Sequence, residues 1–119
     1  MATLAYPANL ATAQAGTGDS TNVIQRPGGE VNGRQMVLRV TTNAGTTITF
    51  TIKGSVDGTT YSNVPYSVGS AVAGDYSAAA ITTTTAKTEL YFLMTGQPWI
   101  YLKTNVTANT GMTPTTDLL

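Results

Sequence analysis

The fold class follows most directly from residues 47–58, which read TITFTIKGSVDG. Apolar and polar side chains alternate here: Ile48, Phe50, Ile52 and Val56 lie on one face, and mostly threonine on the other. Such alternation is typical of a strand with one buried face, and β-branched threonine suits the solvated face. The closing Asp57-Gly58 predicts a type I′ hairpin turn with positive φ at the glycine, followed by an antiparallel return over residues 59–66.

A second alternating segment precedes this strand, over residues 36–41. Asn43-Ala44-Gly45 separates the two segments and has turn chemistry, so we predict that they pair as a hairpin. Two later runs, residues 90–94 and 99–102, are apolar or aromatic at nearly every position, and we expect a hairpin loop at residues 96–98 to join them. An unbroken apolar pattern indicates strands that are covered on both faces.

These four segments supply the predicted core. One face of each strand is assigned to it: Leu38, Val40, Ile48, Phe50, Ile52, Leu90, Phe92, Ile100 and Leu102. The opposite face of the two later runs holds Tyr91, Leu93, Trp99 and Tyr101, which we treat as a candidate interface. This second face needs a cover, which the N-terminal segment, another subunit or a ligand would provide.

Residues 1–35 lack a sustained period of 2 or 3.6, so we predict an extended N-terminal arm. Residues 36–119 are predicted to form a single antiparallel β-sandwich, jelly-roll-like in its connections, with an irregular tail from about residue 107. The arm has little apolar surface of its own, and we expect it to order against a neighbouring molecule.

Composition excludes several classes of function. The 119 residues include 24 threonines and 12 glycines, only 10% are charged, and six basic side chains balance six acidic ones. A neutral chain offers no long-range attraction for nucleic acid or an anionic membrane. Histidine and cysteine are absent, which removes the commonest general base and the commonest metal ligands. We predict no enzymatic activity, no catalytic residues, no cofactor and no metal site.

The candidate interface has two interpretations. Subunit interfaces are enriched in tryptophan and tyrosine, which favours packing against a partner. Exposed aromatic rings can also stack on sugar rings, because they present a flat apolar face together with a polar group. Both interpretations remain open at this point.

The segment from Ile48 to Tyr61, an alternating strand that ends in Gly-Ser-x-Asp-Gly before an aromatic residue, resembles segments of small β-rich virion proteins of tailed bacteriophages. Head decoration (cement) proteins are among them. The resemblance covers residues 36–66 best. Similar strand and turn patterns also occur in carbohydrate-binding sandwiches, where an aromatic residue follows the turn as Tyr61 does here.

The resemblance to decoration proteins implies a structural protein of the virion, assembled in the host cytoplasm, which forms a dimer or trimer and binds the major capsid protein. From the neutral charge balance we also expect no membrane or nucleic-acid partner. The alternatives are a carbohydrate-binding β-sandwich module and a receptor-binding tail component.

Overall fold

The structure, a computed structural model, describes residues 2–25, 35–43, 47–69 and 76–119. These residues form twelve strands in two sheets that pack against each other as a sandwich. All strand pairs are antiparallel except one. The predicted all-β sandwich is therefore confirmed, while jelly-roll connectivity stays a prediction.

The strands are β1 (Ala2–Ala5), β2 (Ala8–Ala11), β3 (Gly18–Asp19), β4 (Asn22–Gln25), β5 (Val37–Thr41), β6 (Thr47–Ser55), β7 (Ser62–Asn63), β8 (Tyr66–Val68), β9 (Ile81–Thr83), β10 (Thr88–Leu93), β11 (Tyr101–Thr110) and β12 (Thr115–Leu118). No helix long and apolar enough to cross a membrane occurs in the part of the chain that the structure describes.

The larger sheet has seven strands in the order β1-β4-β11-β6-β7, with β3 added beside β11 and β9 beside β6. Its centre is the long antiparallel pair β11 and β6, which runs from Tyr101 opposite Ser55 to Thr110 opposite Thr47. The smaller sheet has five strands in the order β2-β12-β5-β10-β8. Each sheet thus contains strands from both ends of the chain.

Aromatic rings link the two sheets inside the core. Phe50 of β6 meets Tyr91 of β10 edge to face, with ring centroids 5.8 Å apart, and Tyr91 meets Tyr66 in the same way at 5.7 Å. Edge-to-face contacts of this kind are favourable beyond the area they bury. Phe50 is 2% exposed, so it lies at the centre of the contact between the sheets.

Two of the three predicted hairpins are wrong, whereas the antiparallel return after Asp57-Gly58 is confirmed by the pairing of β7 with β6. Strand β5 pairs with β12 and β10 in the smaller sheet, whereas β6 pairs with β11, β7 and β9 in the larger one. Strands β10 and β11 likewise lie in different sheets. The buried faces do meet, but across the sandwich. Alternation identifies the buried face of a strand and says nothing about whether its neighbour lies beside it or opposite it.

The predicted phase of β10, meaning which of its side chains point into the core, is also wrong. Tyr91 and Leu93 are 3% and 1% exposed, whereas Leu90 is 37% exposed and Phe92 is half-buried. Pairing explains the phase: Tyr91 lies directly opposite Leu38 of β5, and opposed residues of an antiparallel pair share one face of the sheet. Because Leu38 points into the core, Tyr91 does too.

Two smaller predictions about the core need correction. Ile100 is half-buried, although Leu102 on the same run is in the core as predicted. Val56 is 52% exposed because Gly54 and Ser55 are both buried, which breaks the alternation at the end of β6. The remaining predicted core residues, on β5 and β6, are buried.

The described residues at both ends of the chain lie in strands of the two sheets rather than in a separate arm and an irregular tail. Residues 2–25 form β1 to β4, which pair with one another and with β11 and β12, and they place Leu10 and Ile24 in the core. Beyond residue 107, β11 continues to Thr110 and β12 pairs with β5. Residues 1 and 26–34 of the predicted arm lie outside the described residues. The short strands at both ends lack a strong local pattern and are held by pairing with strands that are distant in the sequence.

We expect an alkaline loss of stability that depends on Tyr91. Burial raises the pKa of its phenol to about 12, from an ordinary value of 10.0. Between these values the unfolded chain loses the proton and the folded chain keeps it, so stability present up to pH 10 falls as the pH rises toward 12. The slope from one such group reaches about 1.4 kcal/mol per pH unit. Urea unfolding at pH 9, 10 and 11 should give a shallower decline for Tyr91→Phe, and equal slopes in both proteins would contradict this assignment.

Candidate functional site

An open cleft lies on the outer face of the larger sheet, away from the smaller one. Its volume is about 540 Å³, within the range of small-molecule sites. Strands β1, β4 and β11 form its floor, and the loop from β6 to β7 forms one wall. The lining residues are Thr3, Val23, Asp57, Gly58, Thr59, Tyr61, Tyr101 and Lys103.

The loop wall is held by Asp57. Its Oδ1 accepts hydrogen bonds from the backbone N–H groups of Thr60 and Thr59, at 2.9 and 2.8 Å, and from the hydroxyl of Ser55 at 2.9 Å. These bonds lower the pKa of the Asp57 carboxyl, so the side chain is ionised at neutral pH. Gly58 has a φ of +80°, as predicted. The turn is nevertheless a longer Asp-capped loop rather than a two-residue type I′ turn, since β7 begins only at Ser62.

Two tyrosines stand in the cleft. Tyr101, the first residue of β11, packs against the loop backbone so closely that a Cβ on Gly58 would lie 3.2 Å from the tyrosine Cε2. The positive φ favours a glycine there, and a larger residue would also have to displace the tyrosine ring by a few tenths of an ångström. Tyr61 is half-buried, and burial raises the pKa of its hydroxyl, which therefore stays protonated at neutral pH. Both rings are restrained by their neighbours and remain partly accessible.

A compensated charge pair borders the tyrosines. Lys103 Nζ lies 4.1 Å from the centroid of the Tyr61 ring and donates a 2.8 Å hydrogen bond to Asp19 Oδ2. Asn105 donates a second, at 2.7 Å, to Asp19 Oδ1. Partial burial would raise the pKa of Asp19, but the hydrogen bonds from Lys103 and Asn105 outweigh it and hold the pKa below its ordinary value. The pair contributes no net charge to the cleft.

The four residues of the predicted interface do not share one surface. Tyr91 and Leu93 lie in the core, which removes them from the candidate interface. Trp99 is half-buried against the core and lies over Gly54, where a Cβ would be 2.6 Å from its ring. Tyr101 lines the cleft. A subunit contact through Trp99 or Tyr101 stays a prediction.

Apart from Tyr101, the sequence does not predict the cleft residues as part of a binding site. A signal was present on β11, where Tyr101, Lys103 and Asn105 alternate with the buried residues and must therefore share the outer face. No such signal predicts the proximity of Asp19, which reaches Asn105 only because β3 pairs with β11. Asp57-Gly58 and Tyr61 were identified, but as a turn and as part of the resemblance.

Comparison with protein-family models, with curated proteins and with solved structures found no match to this chain. Within residues 2–25, 35–43, 47–69 and 76–119, no group of three or more carboxylates is close enough together to hold a metal ion.

Proposed function

We propose that the chain is a structural virion protein that decorates the head shell of a tailed bacteriophage, as a homo-oligomer bound to the major capsid protein. The observation that supports it best is a β-sandwich whose described residues leave few charges uncompensated. Such a surface suits close packing against neighbouring subunits, because short-range contacts rather than long-range steering then set the association.

Charge compensation extends over the described chain. The described ranges contain eight charged side chains, and six of them form three ion pairs: Arg39 with Asp117, Lys87 with Glu89 and Lys103 with Asp19. The other two, Lys53 and Asp57, form hydrogen bonds with Asn63 and with loop N–H groups. Exposed pairs of this kind add little stability, but they leave little free charge to repel a neighbouring copy.

The strands at the chain ends change how a partner would be bound. An arm that folds onto a capsid was expected, yet residues 2–25 already complete both sheets. We therefore place the partner contacts on the outer faces and edges of the folded sandwich. The exposed edge strand β1 and the cleft face beside it are the first regions to test.

Particle association tests the proposal. Virions purified from a producing host through a density gradient should contain this chain at high copy, quantified by mass spectrometry against the major capsid protein. The particles should be washed at high salt, because a neutral contact should survive it while adventitious ionic adsorption should not. Absence of the chain from washed particles would refute a virion role.

Self-association is measured separately by light scattering on the purified chain. A dimer or trimer mass at a concentration of 100 µM supports the oligomeric part of the proposal. A monomer mass at that concentration would contradict it and leave the particle result to stand alone.

A further inference from the structure

We infer that the cleft on the outer face of the larger sheet is a binding site for a neutral saccharide. This inference does not depend on a virion role, since it concerns what the cleft recognises. It is drawn from three properties of the described lining residues: restrained aromatic rings, a fixed hydrogen-bond acceptor and no net positive charge among them.

The aromatic part is supplied by Tyr61 and Tyr101. A saccharide ring has an apolar face of C–H groups and a rim of hydroxyls, so it is bound by side chains that present a flat apolar surface with a polar group at its edge. Both tyrosines line the cleft and are only half-buried, so part of each side chain is open to a ligand. Tyr101 is held against the backbone of Gly58, and Tyr61 lies beneath the ammonium group of Lys103, so little side-chain freedom remains to be lost on binding.

The polar part is supplied by the loop. Three donors converge on Oδ1 of Asp57 and fix the orientation of the carboxylate, which leaves Oδ2 as the oxygen available to accept hydroxyl donors from a ligand. Thr59 and Thr3 also line the cleft and bear hydroxyls that can donate or accept. An ionised acceptor beside two hydroxyls matches a ligand that is rich in O–H groups.

Charge selects among hydroxyl-rich ligands. The only cation that lines the cleft within the described residues, Lys103, is paired with Asp19 at 2.8 Å. Asp57 adds one uncompensated negative charge, whereas phosphate or sulfate groups are recognised by free arginine and lysine. The lining therefore favours a neutral saccharide over a sulfated, sialylated or phosphorylated one.

A glycan array with unsubstituted neutral oligosaccharides and with sulfated and sialylated ones tests the inference on the full chain. We expect binding to one or more neutral glycans. Titration calorimetry with the strongest of them should show at least a tenfold loss of affinity in Tyr101→Ala and a smaller loss in Tyr101→Phe, which keeps the ring and removes only the hydroxyl. The control Val68→Ala, in an exposed position on the smaller sheet, should bind as the wild type does.

Because Tyr101→Ala removes a loop contact, its folding is checked by thermal melting, and amide chemical shifts of the wild-type protein give an independent measurement. Titration of the same glycan should shift the amide signals of Gly58 and Thr59 and leave that of Val68 in place. The inference is overturned if no neutral glycan binds, if only anionic glycans bind, or if the shifts occur away from the cleft. Loss of oligomer mass in Tyr101→Ala without glycan binding would instead assign the cleft to a subunit contact.

Discussion

Replacing Phe50 with alanine should lower the free energy of unfolding by about 3–5 kcal/mol. Phe50 is 2% exposed and meets Tyr91 of the opposite sheet edge to face, so its removal leaves a cavity between the sheets. The surrounding structure relaxes only partly after such a truncation, so much of the cavity remains. Because a domain of this size is stabilised by only about 5–15 kcal/mol, the loss should be visible in both chemical and thermal unfolding.

The matched control for this variant is Leu90→Ala. The sequence pattern assigns Leu90 to the same core as Phe50, whereas the structure has it 37% exposed on the outer side of β10. Its truncation should cost less than about 1 kcal/mol, as for other surface positions. Equal losses in the two variants would show that Leu90 lies in the core with Phe50, as the sequence pattern predicts. They would contradict its exposed position on β10.

The phase of β10 shows where sequence patterns lose their information. On β5 and on most of β6, one face is polar, so the buried side chains can be identified from the sequence alone. Residues 90–94 are apolar on both faces, and no local property distinguishes Leu90 from Leu93. Pairing with β5 decides between them, and that pairing joins residues about 50 positions apart.

The choice of strand partners is a second feature that the sequence does not predict. The turn signals at residues 43–45 and 96–98 correctly separate strands, but the adjoining strands belong to different sheets. A turn shows where a strand ends, whereas the choice between pairing beside a neighbour and crossing to the opposite sheet depends on the whole core.

The cleft could be predicted only in pieces. The sequence predicts Asp57-Gly58 as a turn, includes Tyr61 in the resemblance and assigns Tyr101 to the candidate interface. It does not predict that these residues share one site. Their proximity results from the return of β7 beside β6 and from the pairing of β6 with β11. Binding sites on sheet faces combine residues from several strands, so their composition follows from topology more than from any single segment.

Deleting residues 2–25 should abolish cooperative folding. The sequence alone describes this region as an arm that the sandwich does not need, whereas the structure has β4 beside β11 and β2 beside β12. Leu10 and Ile24 are 1% and 0% exposed, and the loss of either side chain in a core costs about 2–5 kcal/mol. Together the two losses, about 4–10 kcal/mol, are comparable with the whole stability of such a domain, about 5–15 kcal/mol. Circular dichroism of the truncated chain should show no cooperative thermal transition.

Single substitutions in the full chain separate a loss of core packing from the effect of shortening the chain. Leu10→Ala and Ile24→Ala should each lower the free energy of unfolding by about 2–5 kcal/mol, whereas Gln25→Ala, exposed on the same strand as Ile24, should change it by no more than about 0.5 kcal/mol. A truncated chain that melts cooperatively near the wild-type temperature would support the prediction of a separate N-terminal arm. In that case the partner contacts would return to the N-terminal segment, because a segment that is dispensable for folding is available to bind a neighbour.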